Sequence, residues 1–310
     1  MALDETLKNH ISQIARDENP NSKTNLQLAS KAIGELNDYI EEKIPLSDEE
    51  IKSNLDTLLI NDIDMNSKHE KGINIIRARK REEVIVRKPC FDNITELSYP
   101  PKSSVLSRGR CNLEKESVFY GCVDVNNTEE CKRVAYSESS AAQGEKVYLL
   151  MSQTTDTLIL KYVGIFNHFF RNAKPHFMSV KVWDDIKLVY EHILNEFNDD
   201  LFLKRYLCDT FFADIMRRKD SGNLYNVTSV LAHMYWKSGV IDGIIYTSVK
   251  VEGEPVVVLN TNAVDKSIKH ERTELYEIVE DYGYAVYNTK KLYSGTIDTS
   301  GKINWGKEDE

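Results

Sequence analysis

Two short segments, far apart in the chain, each combine polar side chains with a strand-like apolar run. The first is Ser107-Arg-Gly-Arg-Cys-Asn112, followed by Glu116-Ser-Val-Phe-Tyr-Gly121. The second is Gly243-Ile-Ile-Tyr-Thr-Ser248, with Gly253-Glu-Pro-Val-Val-Val-Leu-Asn260 close behind it. An arginine offers a planar fork of donors that suits a pyrophosphate, and a tyrosine ring attracts a cation over its face. Together with a serine at the end of a buried strand, these side chains predict a site for a ligand that carries phosphates and an aromatic cation, as NAD does.

Motifs for other kinds of chemistry are missing from the sequence. It contains no GxxxxGK(S/T) phosphate loop, no GxGxxG after a strand, no HExxH and no GxSxG. The histidines His168, His176 and His192 do not have the spacing of metal ligands, and no Asp/Glu/His cluster suits a metal. We therefore expect no metal, and we exclude standard nucleoside-triphosphate, hydride-transfer and metallohydrolase chemistry.

The composition of the whole chain is that of a globular protein. The 310 residues are 41% hydrophobic and 29% charged, and the net charge of -9 argues against a surface that binds nucleic acid. The N-terminus lacks the basic and apolar segments of a signal peptide, and no run of about 18 apolar residues predicts a membrane span. Five cysteines without CxxC spacing indicate reduced thiols. These features predict a cytoplasmic protein that does not enter a membrane.

Helical periodicity covers residues 1–83, which we predict to be a helical N-terminal region. Apolar residues recur there at spacings of three and four, and Ser47-Asp-Glu-Glu50 has the pattern of a capping box that opens a third helix. The basic run Arg77-Ala-Arg-Lys-Arg81 is followed at once by Glu82-Glu83, so we interpret it as a solvated, salt-bridged connector rather than a nucleic-acid contact.

From residue 84 onward the pattern changes to short β-branched or aromatic runs, which predict strands. Residues 84–310 are therefore predicted to form a second domain, interrupted by a helical insertion at about 154–219. The remaining elements predicted in this domain are strands at Val84–Val86, Ser117–Tyr120, Lys146–Leu150, 240–248 and 255–260, a helix at about 225–238, and a hairpin at Ile297–Ile303.

The stretch from Tyr99 to Asn260 resembles a RES domain, a family named for an arginine, a glutamate and a serine. Its first block, Gly-Arg-x-Asn before an apolar-apolar-Tyr strand, is matched by Gly109-Arg-Cys-Asn112 and Val118-Phe-Tyr120. Its last block is matched by Asp242-Gly-Ile-Ile-Tyr-Thr-Ser248. The resemblance covers a little over half of the chain. It implies an α+β fold, namely an ADP-ribosyltransferase-like mixed β core with a helical insertion, preceded by the N-terminal helical region.

The resemblance also implies roles for individual residues. Arg110 would bind the pyrophosphate of NAD, and Tyr120 would face the cationic nicotinamide ring. Ser248 would bind the nicotinamide ribose, and Asn112 would brace the arginine loop or contact a ribose hydroxyl. Tyr246 belongs to the same predicted NAD-binding set, and Arg110 and Ser248 are also predicted to be catalytic.

The catalytic glutamate follows the tyrosine strand after a short helix in the RES family, and three residues are eligible here. Glu129 and Glu130 lie in a polar, Asn-rich stretch that we interpret as a loop. Glu138 ends the short apolar run Arg133-Val-Ala-Tyr-Ser-Glu138. We therefore prefer Glu138 as the catalytic carboxylate, while the sequence leaves the choice among the three open.

These expectations lead to one principal functional hypothesis and two alternatives. The principal one is an NAD-consuming enzyme, a phosphorylase or glycohydrolase that cleaves the nicotinamide–ribose bond and acts as a toxin. Transfer of ADP-ribose to a macromolecule and a non-catalytic interaction module are the alternatives. A cognate antitoxin or another partner protein would fit a toxin, and the N-terminal helices would serve partner binding or oligomerisation. We expect a chain without residues 1–83 to keep a foldable core.

Overall fold

A computed structural model describes residues 3–60, 66–69, 71–80, 89–124, 127–220 and 222–307. The chain divides into two units, each made of three segments. The helical unit comprises Met1–Ser67, Arg108–Leu113 and Lys161–Ser238, and the sheet unit comprises Lys68–Ser107, Glu114–Leu160 and Gly239–Glu310. The protein is therefore of mixed α+β class, and neither unit is continuous in sequence.

The α-helices of the described residues are, in chain order, α1 (Glu5–Glu18), α2 (Ser22–Ile40), α3 (Asp48–Leu59), α4 (Thr128–Glu138), α5 (Ile165–Phe170), α6 (Val180–Glu196), α7 (Asp199–Arg217), α8 (Leu224–Lys237) and α9 (Thr261–Ser267). The strands are β1 (Asn66–His69), β2 (Asn74–Lys80), β3 (Val118–Asp124), β4 (Lys146–Thr154), β5 (Leu158–Tyr162), β6 (Gly243–Thr247), β7 (Pro255–Asn260), β8 (Ile268–Asp281), β9 (Tyr287–Ile297) and β10 (Ile303–Lys307).

The N-terminal helices follow from local sequence signals. Helix α1 begins where the Asp4 carboxylate accepts from the backbone N–H groups of Thr6 and Leu7. Helix α3 begins with the predicted capping box, in which the Ser47 and Glu50 side chains each accept from the other residue's backbone N–H. The predicted N-terminal helices are thus confirmed as far as Leu59.

The predicted helical character up to residue 83 is wrong, because β1 and β2 follow the third helix. Strand β2 lies inside the sheet, where Ile76 is opposite both Cys122 of β3 and Met151 of β4. A chain without residues 1–83 would lack this central strand, so the structure argues against the expectation that it keeps a foldable core, which stays untested. The predicted strand at Val84–Val86 lies outside the described residues.

The described part of the basic run, Arg77–Lys80, is part of β2 rather than a solvated connector, and Arg81 lies outside the described residues. Arg77 Nε donates to the carbonyl oxygen of Leu97 at 3.1 Å, and Arg77 Nη1 donates to that of Tyr120 at 2.9 Å. The guanidinium lies 5.4 Å from the ring centre of Phe119. Burial, together with the charge of Arg79, lowers the pKa of Arg77 to about 10. Arg77 therefore connects β2 to the segment around Leu97 and to β3 within the sheet unit.

The ten strands of the described chain form one mostly antiparallel sheet in the order β1-β5-β6-β7-β3-β2-β4-β8-β9-β10. The predicted strands β3, β4, β6 and β7 are confirmed. The predicted final hairpin is confirmed as well, because β9 ends at Ile297 and pairs with β10, which begins at Ile303. Helix α4 packs on one face of the sheet, where its residues Cys131, Val134 and Ala135 join a buried cluster with Ile76 and Cys122. This face carries the sheet-unit residues of the predicted site.

The helical insertion is present, but its first part is the strand β5. Helices α5, α6 and α7 then belong to the helical unit together with α1–α3 and α8. Within that unit Lys204 and Glu18 form a buried ion pair at 3.3 Å, with side chains 1% and 6% exposed. None of the helices in the described part of the chain is both long and apolar enough to cross a membrane.

Candidate functional site

Ser248 occupies the first position of the turn that joins β6 to β7. Its backbone N–H donates to the carbonyl oxygen of Glu254 at 2.7 Å. Its hydroxyl oxygen accepts from the backbone N–H groups of Lys250 at 3.0 Å and Val251 at 2.9 Å. These bonds fix the hydroxyl oxygen, because a serine that caps a turn in this way loses the freedom to rotate. The side chain is buried, so its remaining donor has a defined direction.

The hydroxyl of Ser248 donates to Oε1 of Glu138, the last residue of α4. The structure thus brings together two predicted site residues that lie 110 positions apart in the sequence. A carboxylate at the C-terminal end of a helix faces the negative end of the helix dipole, which is an unfavourable place for it. The hydrogen bond from Ser248 offsets part of this cost and orients the carboxylate.

Glu129 and Glu130 lie in the first turn of α4 rather than in the predicted polar loop. Glu129 pairs with Lys132 at 2.9 Å, and its side chain is 82% exposed. Glu130 pairs with Arg133 of the same helix. Carboxylates in a first helical turn stabilise the helix through its dipole, so both residues have an ordinary structural role. Of the three eligible glutamates, Glu138 is the one whose described contacts include Ser248.

Tyr120 and Tyr246 lie on the face of the sheet that carries α4. Tyr246 is opposite Val256 of β7, and Val256 is opposite Cys122 of β3, which packs against α4. Tyr120 is two residues from Cys122 on the same strand, so it faces the same side. Tyr246 is buried and Tyr120 is half-buried. The predicted site residues of the sheet unit therefore share one side of the sheet.

Arg110 lies in the helical unit, and its side chain is bonded to the C-terminal end of α7. Its Nη1 donates to the carbonyl oxygen of Ile215 at 3.0 Å, and its Nη2 donates to that of Arg218 at 2.8 Å. The same Nη2 donates to Oδ1 of Asp220 at 3.0 Å. The last carbonyl groups of a helix lack donors within the helix, and Arg110 supplies such donors at the end of α7. Arg110 is only 7% exposed, and its part in phosphate binding stays a prediction.

The ring of Tyr225 completes the surroundings of Arg110. The guanidinium carbon lies 5.4 Å from the ring centre, which is within the range of a cation–π contact. Burial, followed by a hydrogen bond with Asp220, raises the pKa of Tyr225 to about 12. The phenol therefore stays neutral at physiological pH.

The loop around Arg110 is held by its neighbours. The backbone N–H of Gly109 donates to the carbonyl oxygen of Asn112 at 3.0 Å, and Asn112 Nδ2 donates to that of Leu113 at 3.1 Å. The indole N–H of Trp236 donates to the carbonyl oxygen of Cys111 at 3.2 Å. The Asn112 side chain thus bonds within its own loop, and both roles predicted for it stay predictions.

Cys122 and His168 have the surroundings of structural residues. Burial, followed by the charge of Cys131, raises the pKa of the Cys122 thiol, so this cysteine is a poor nucleophile. His168 contacts the carbonyl oxygen of Ala173 at 3.2 Å, as an ordinary structural histidine does. Across the described ranges, no group of three or more His, Cys, Asp and Glu side chains is arranged to hold a metal ion.

The sequence interpretation missed Lys132, which is buried on the side of α4 that faces Tyr276. Its Nζ donates to the hydroxyl of Tyr276 at 2.9 Å and lies 3.4 Å from Oε2 of Glu274. One signal for it was present, because Lys132 and the buried Tyr136 are one helical turn apart and so share a face. Its charged partner on β8 could not be identified from spacing.

No protein-family model matches this chain, and no curated protein matches it. The candidate site therefore depends on the motif blocks and on the contacts described above.

Proposed function

We propose that this protein consumes NAD by cleaving the bond between nicotinamide and ribose, through hydrolysis or phosphorolysis. The observation that supports this most is the hydrogen bond between Ser248 and Glu138. It joins the serine of the last motif block to the glutamate preferred for the RES-like triad. It also leaves a half-buried carboxylate held in one direction on the side of the sheet that carries Tyr120.

The chemistry requires little beyond positioned polar groups. Loss of nicotinamide leaves positive charge on the ribose ring, and the Glu138 carboxylate would stabilise that charge. Ser248 holds the carboxylate so that no reorganisation is needed when the charge develops. The ring of Tyr120 would receive the cationic nicotinamide before the bond breaks. Water or inorganic phosphate would then take the vacated position on the ribose.

Arg110 enters this proposal through the motif resemblance alone. Its described hydrogen bonds go to protein acceptors, so a phosphate would have to share the guanidinium with Ile215 and Arg218. We therefore assign Arg110 two roles, a structural one at the end of α7 and a proposed one in binding the pyrophosphate. A partner protein that neutralises the activity, and a toxin role in the cytoplasm, belong to the same proposal.

Chromatography of NAD incubated with the purified protein tests the proposal. We expect release of free nicotinamide, with ADP-ribose as the second product in water and a phosphorylated ADP-ribose when inorganic phosphate is supplied. Glu138→Gln is the matched control, because it keeps the shape of the side chain and removes the charge. Unchanged NAD after prolonged incubation with and without phosphate would contradict an NAD-consuming enzyme.

A non-catalytic interaction module is the second candidate, and the engagement of Arg110 favours it. An arginine already bonded to two backbone carbonyls has a reason to be present without any ligand. Absence of NAD binding in calorimetry, with the protein folded, would support this second candidate over the first.

A further inference from the structure

We propose that Lys132, together with Glu274 and Tyr276, positions Glu138 by fixing the rotation of α4 on the sheet. The inference depends on the proposed function, because it concerns how the carboxylate assigned to catalysis is aimed. It goes beyond that function in naming a positioning device outside the two motif blocks.

The three side chains contact one another within the sheet unit, and Lys132 Nζ also pairs with the exposed Glu129 at 2.9 Å. Lys132 Nζ donates to the hydroxyl of Tyr276 at 2.9 Å and pairs with Glu274 Oε2 at 3.4 Å. The hydroxyl of Tyr276 donates to the same Glu274 oxygen at 2.9 Å. Lys132 is 8% exposed and Glu274 is 7% exposed, so the pair is almost removed from water. Charged side chains are rarely buried to this extent unless they are paired.

Aromatic rings surround this pair and leave it little freedom. The Lys132 ammonium lies 5.0 Å from the ring centre of Tyr276. Tyr136, one turn further along α4, meets Tyr276 and Tyr287 edge-on at ring-centre distances of 5.9 and 5.8 Å. The Ser137 hydroxyl contacts that of Tyr287 at 3.2 Å. One flank of α4 is therefore attached to β8 and β9 by directional contacts.

Stability alone does not call for these residue types. Replacing a buried ion pair with apolar residues of similar volume is often neutral or stabilising, because the desolvation cost is avoided. Helix α4 already packs on the sheet through Cys131, Val134 and Ala135. Such an apolar interface keeps a helix packed on the sheet but tolerates small rotations and shifts of the helix. An ion pair with a shared hydroxyl favours one rotation of the helix, because its contacts are directional. The network therefore accounts for orientation better than for stability.

The geometry of a helix connects this network to Glu138. Glu138 lies six positions after Lys132, which is roughly 9 Å along the axis and about 240° of rotation. The two side chains thus lie on different flanks of α4. Lys132 holds one flank to β8, and Ser248 holds Glu138 on another. Release of the first flank would let the helix rotate and turn the carboxylate away from the serine hydroxyl.

The double variant Lys132→Met/Glu274→Gln tests the positioning role. It removes both charges and nearly keeps the side-chain volumes. The glutamine oxygen can still accept from the Tyr276 hydroxyl. We expect an unfolding temperature within a few degrees of the wild type, an unchanged KM for NAD and at least about tenfold lower kcat. The matched control is Lys269→Met/Glu271→Gln, which removes a more exposed ion pair of the same unit, on β8, with its charged atoms 3.8 Å apart. The control should keep the wild-type kcat. The single variant Lys132→Arg, which keeps the positive charge, should keep most of the wild-type kcat.

A measurement without NAD separates failure of this inference from failure of the proposed function. The carboxyl ¹³C resonance of Glu138, assigned by its loss in Glu138→Gln, should move or broaden in the double variant and stay unchanged in the control. If the wild type releases no nicotinamide but the resonance moves, the proposed function fails and the positioning role stands. An unchanged kcat or, where there is no activity, an unchanged resonance would overturn the positioning role.

Tyr276→Phe covers the case in which the double variant does not fold. This change removes only the hydroxyl that links Lys132 to Glu274 and keeps the ring that packs against Tyr136. A folded Tyr276→Phe protein with reduced kcat and a shifted Glu138 resonance supports the inference. The same protein with wild-type kcat and resonance would overturn it.

Discussion

The surroundings of Arg110 and those of Glu138 offer a direct comparison, because both residues were predicted from the same motif resemblance. Arg110 in the helical unit reaches Asp220, and Glu138 in the sheet unit reaches Ser248, each across 110 positions of sequence. Arg110 completes the end of a helix by bonding to backbone carbonyls. Glu138 does the opposite, because it places a negative charge at the negative end of a helix.

The difference shows which of the two residues contributes to the stability of the folded chain. A buried arginine that satisfies orphan carbonyls stabilises the folded chain whether or not a ligand binds. A carboxylate at a helix C-terminus contributes no such stability, so its presence calls for another explanation. Residues with the same predicted function can thus differ in how strongly the structure argues for that function.

The largest expected effect is on turnover in Glu138→Gln. We expect kcat for nicotinamide release to fall about 10²- to 10³-fold, since the developing positive charge loses its stabilising carboxylate. The glutamine oxygen can still accept from Ser248, so the variant should fold normally. Nicotinamide release by Glu129→Gln and Glu130→Gln is the control, and near-normal turnover in Glu138→Gln with loss in either of these would move the catalytic role to the first turn of α4.

The next effect is on stability in Arg110→Ala. The sequence alone predicts weaker NAD binding for this variant, and the structure adds a loss of about 2 to 4 kcal/mol in the free energy of unfolding. The reason is that the carbonyl oxygens of Ile215 in α7 and of Arg218 directly after it lose a donor. Urea unfolding measures this, with Arg108→Ala as control, because Arg108 in the same loop pairs with an Asp48 side chain that is 57% exposed. Equal stability of the two variants would remove the contrast between Arg110 and Glu138.

Acid should weaken the sheet unit through His270. Burial, followed by the charge of Arg77, lowers the pKa of His270 to about 4 from its usual 6.5. A histidine that is neutral when folded binds more protons in the unfolded chain, so the stability it confers is present above pH 6.5. That stability, up to roughly 3 kcal/mol, is lost as the pH falls toward 4. Unfolding free energies between pH 7 and about pH 4 should fall less steeply in His270→Gln than in the wild type.

The smallest effect should come from Ser248→Ala. The carboxylate of Glu138 would remain but lose its orienting donor, so we expect kcat to fall about tenfold, much less than in Glu138→Gln. The free energy of unfolding should fall by about 1 kcal/mol, because the turn loses the hydroxyl that accepts from Lys250 and Val251. A loss of turnover as large as that of Glu138→Gln would show that Ser248 contacts the substrate itself.

Local signals explain which parts of the fold were predictable. The three N-terminal helices carry apolar residues at helical spacing and the Ser47 capping box, and the structure has them. Strand β8 was missed because it does not alternate, with Thr273, Glu274, Leu275 and Tyr276 buried in succession. Its position depends on pairing with β4 and β9, which no short segment encodes.

The candidate site shows the same limit. The choice of Glu138 came from its place at the end of an apolar run, which forms the last part of α4. The partners of Arg110 could not be predicted from the sequence. Two of them are backbone carbonyl oxygens, and whether these are free to accept depends on where α7 ends. Lys132 was missed because a lysine normally indicates a solvated face, and only tertiary packing buries it.

The strand pairing in the sheet has a consequence for when the candidate site forms during synthesis. Strand β3 pairs with β7, and β4 pairs with β8, so each waits for a segment more than a hundred residues later in the chain. Contacts of such long range form slowly, after their partners have left the ribosome. A nascent chain that stops before Ser248 cannot hold the Glu138 carboxylate in place. The proposed activity could therefore begin only after the ribosome has released Ser248 and the strands that pair with β3 and β4.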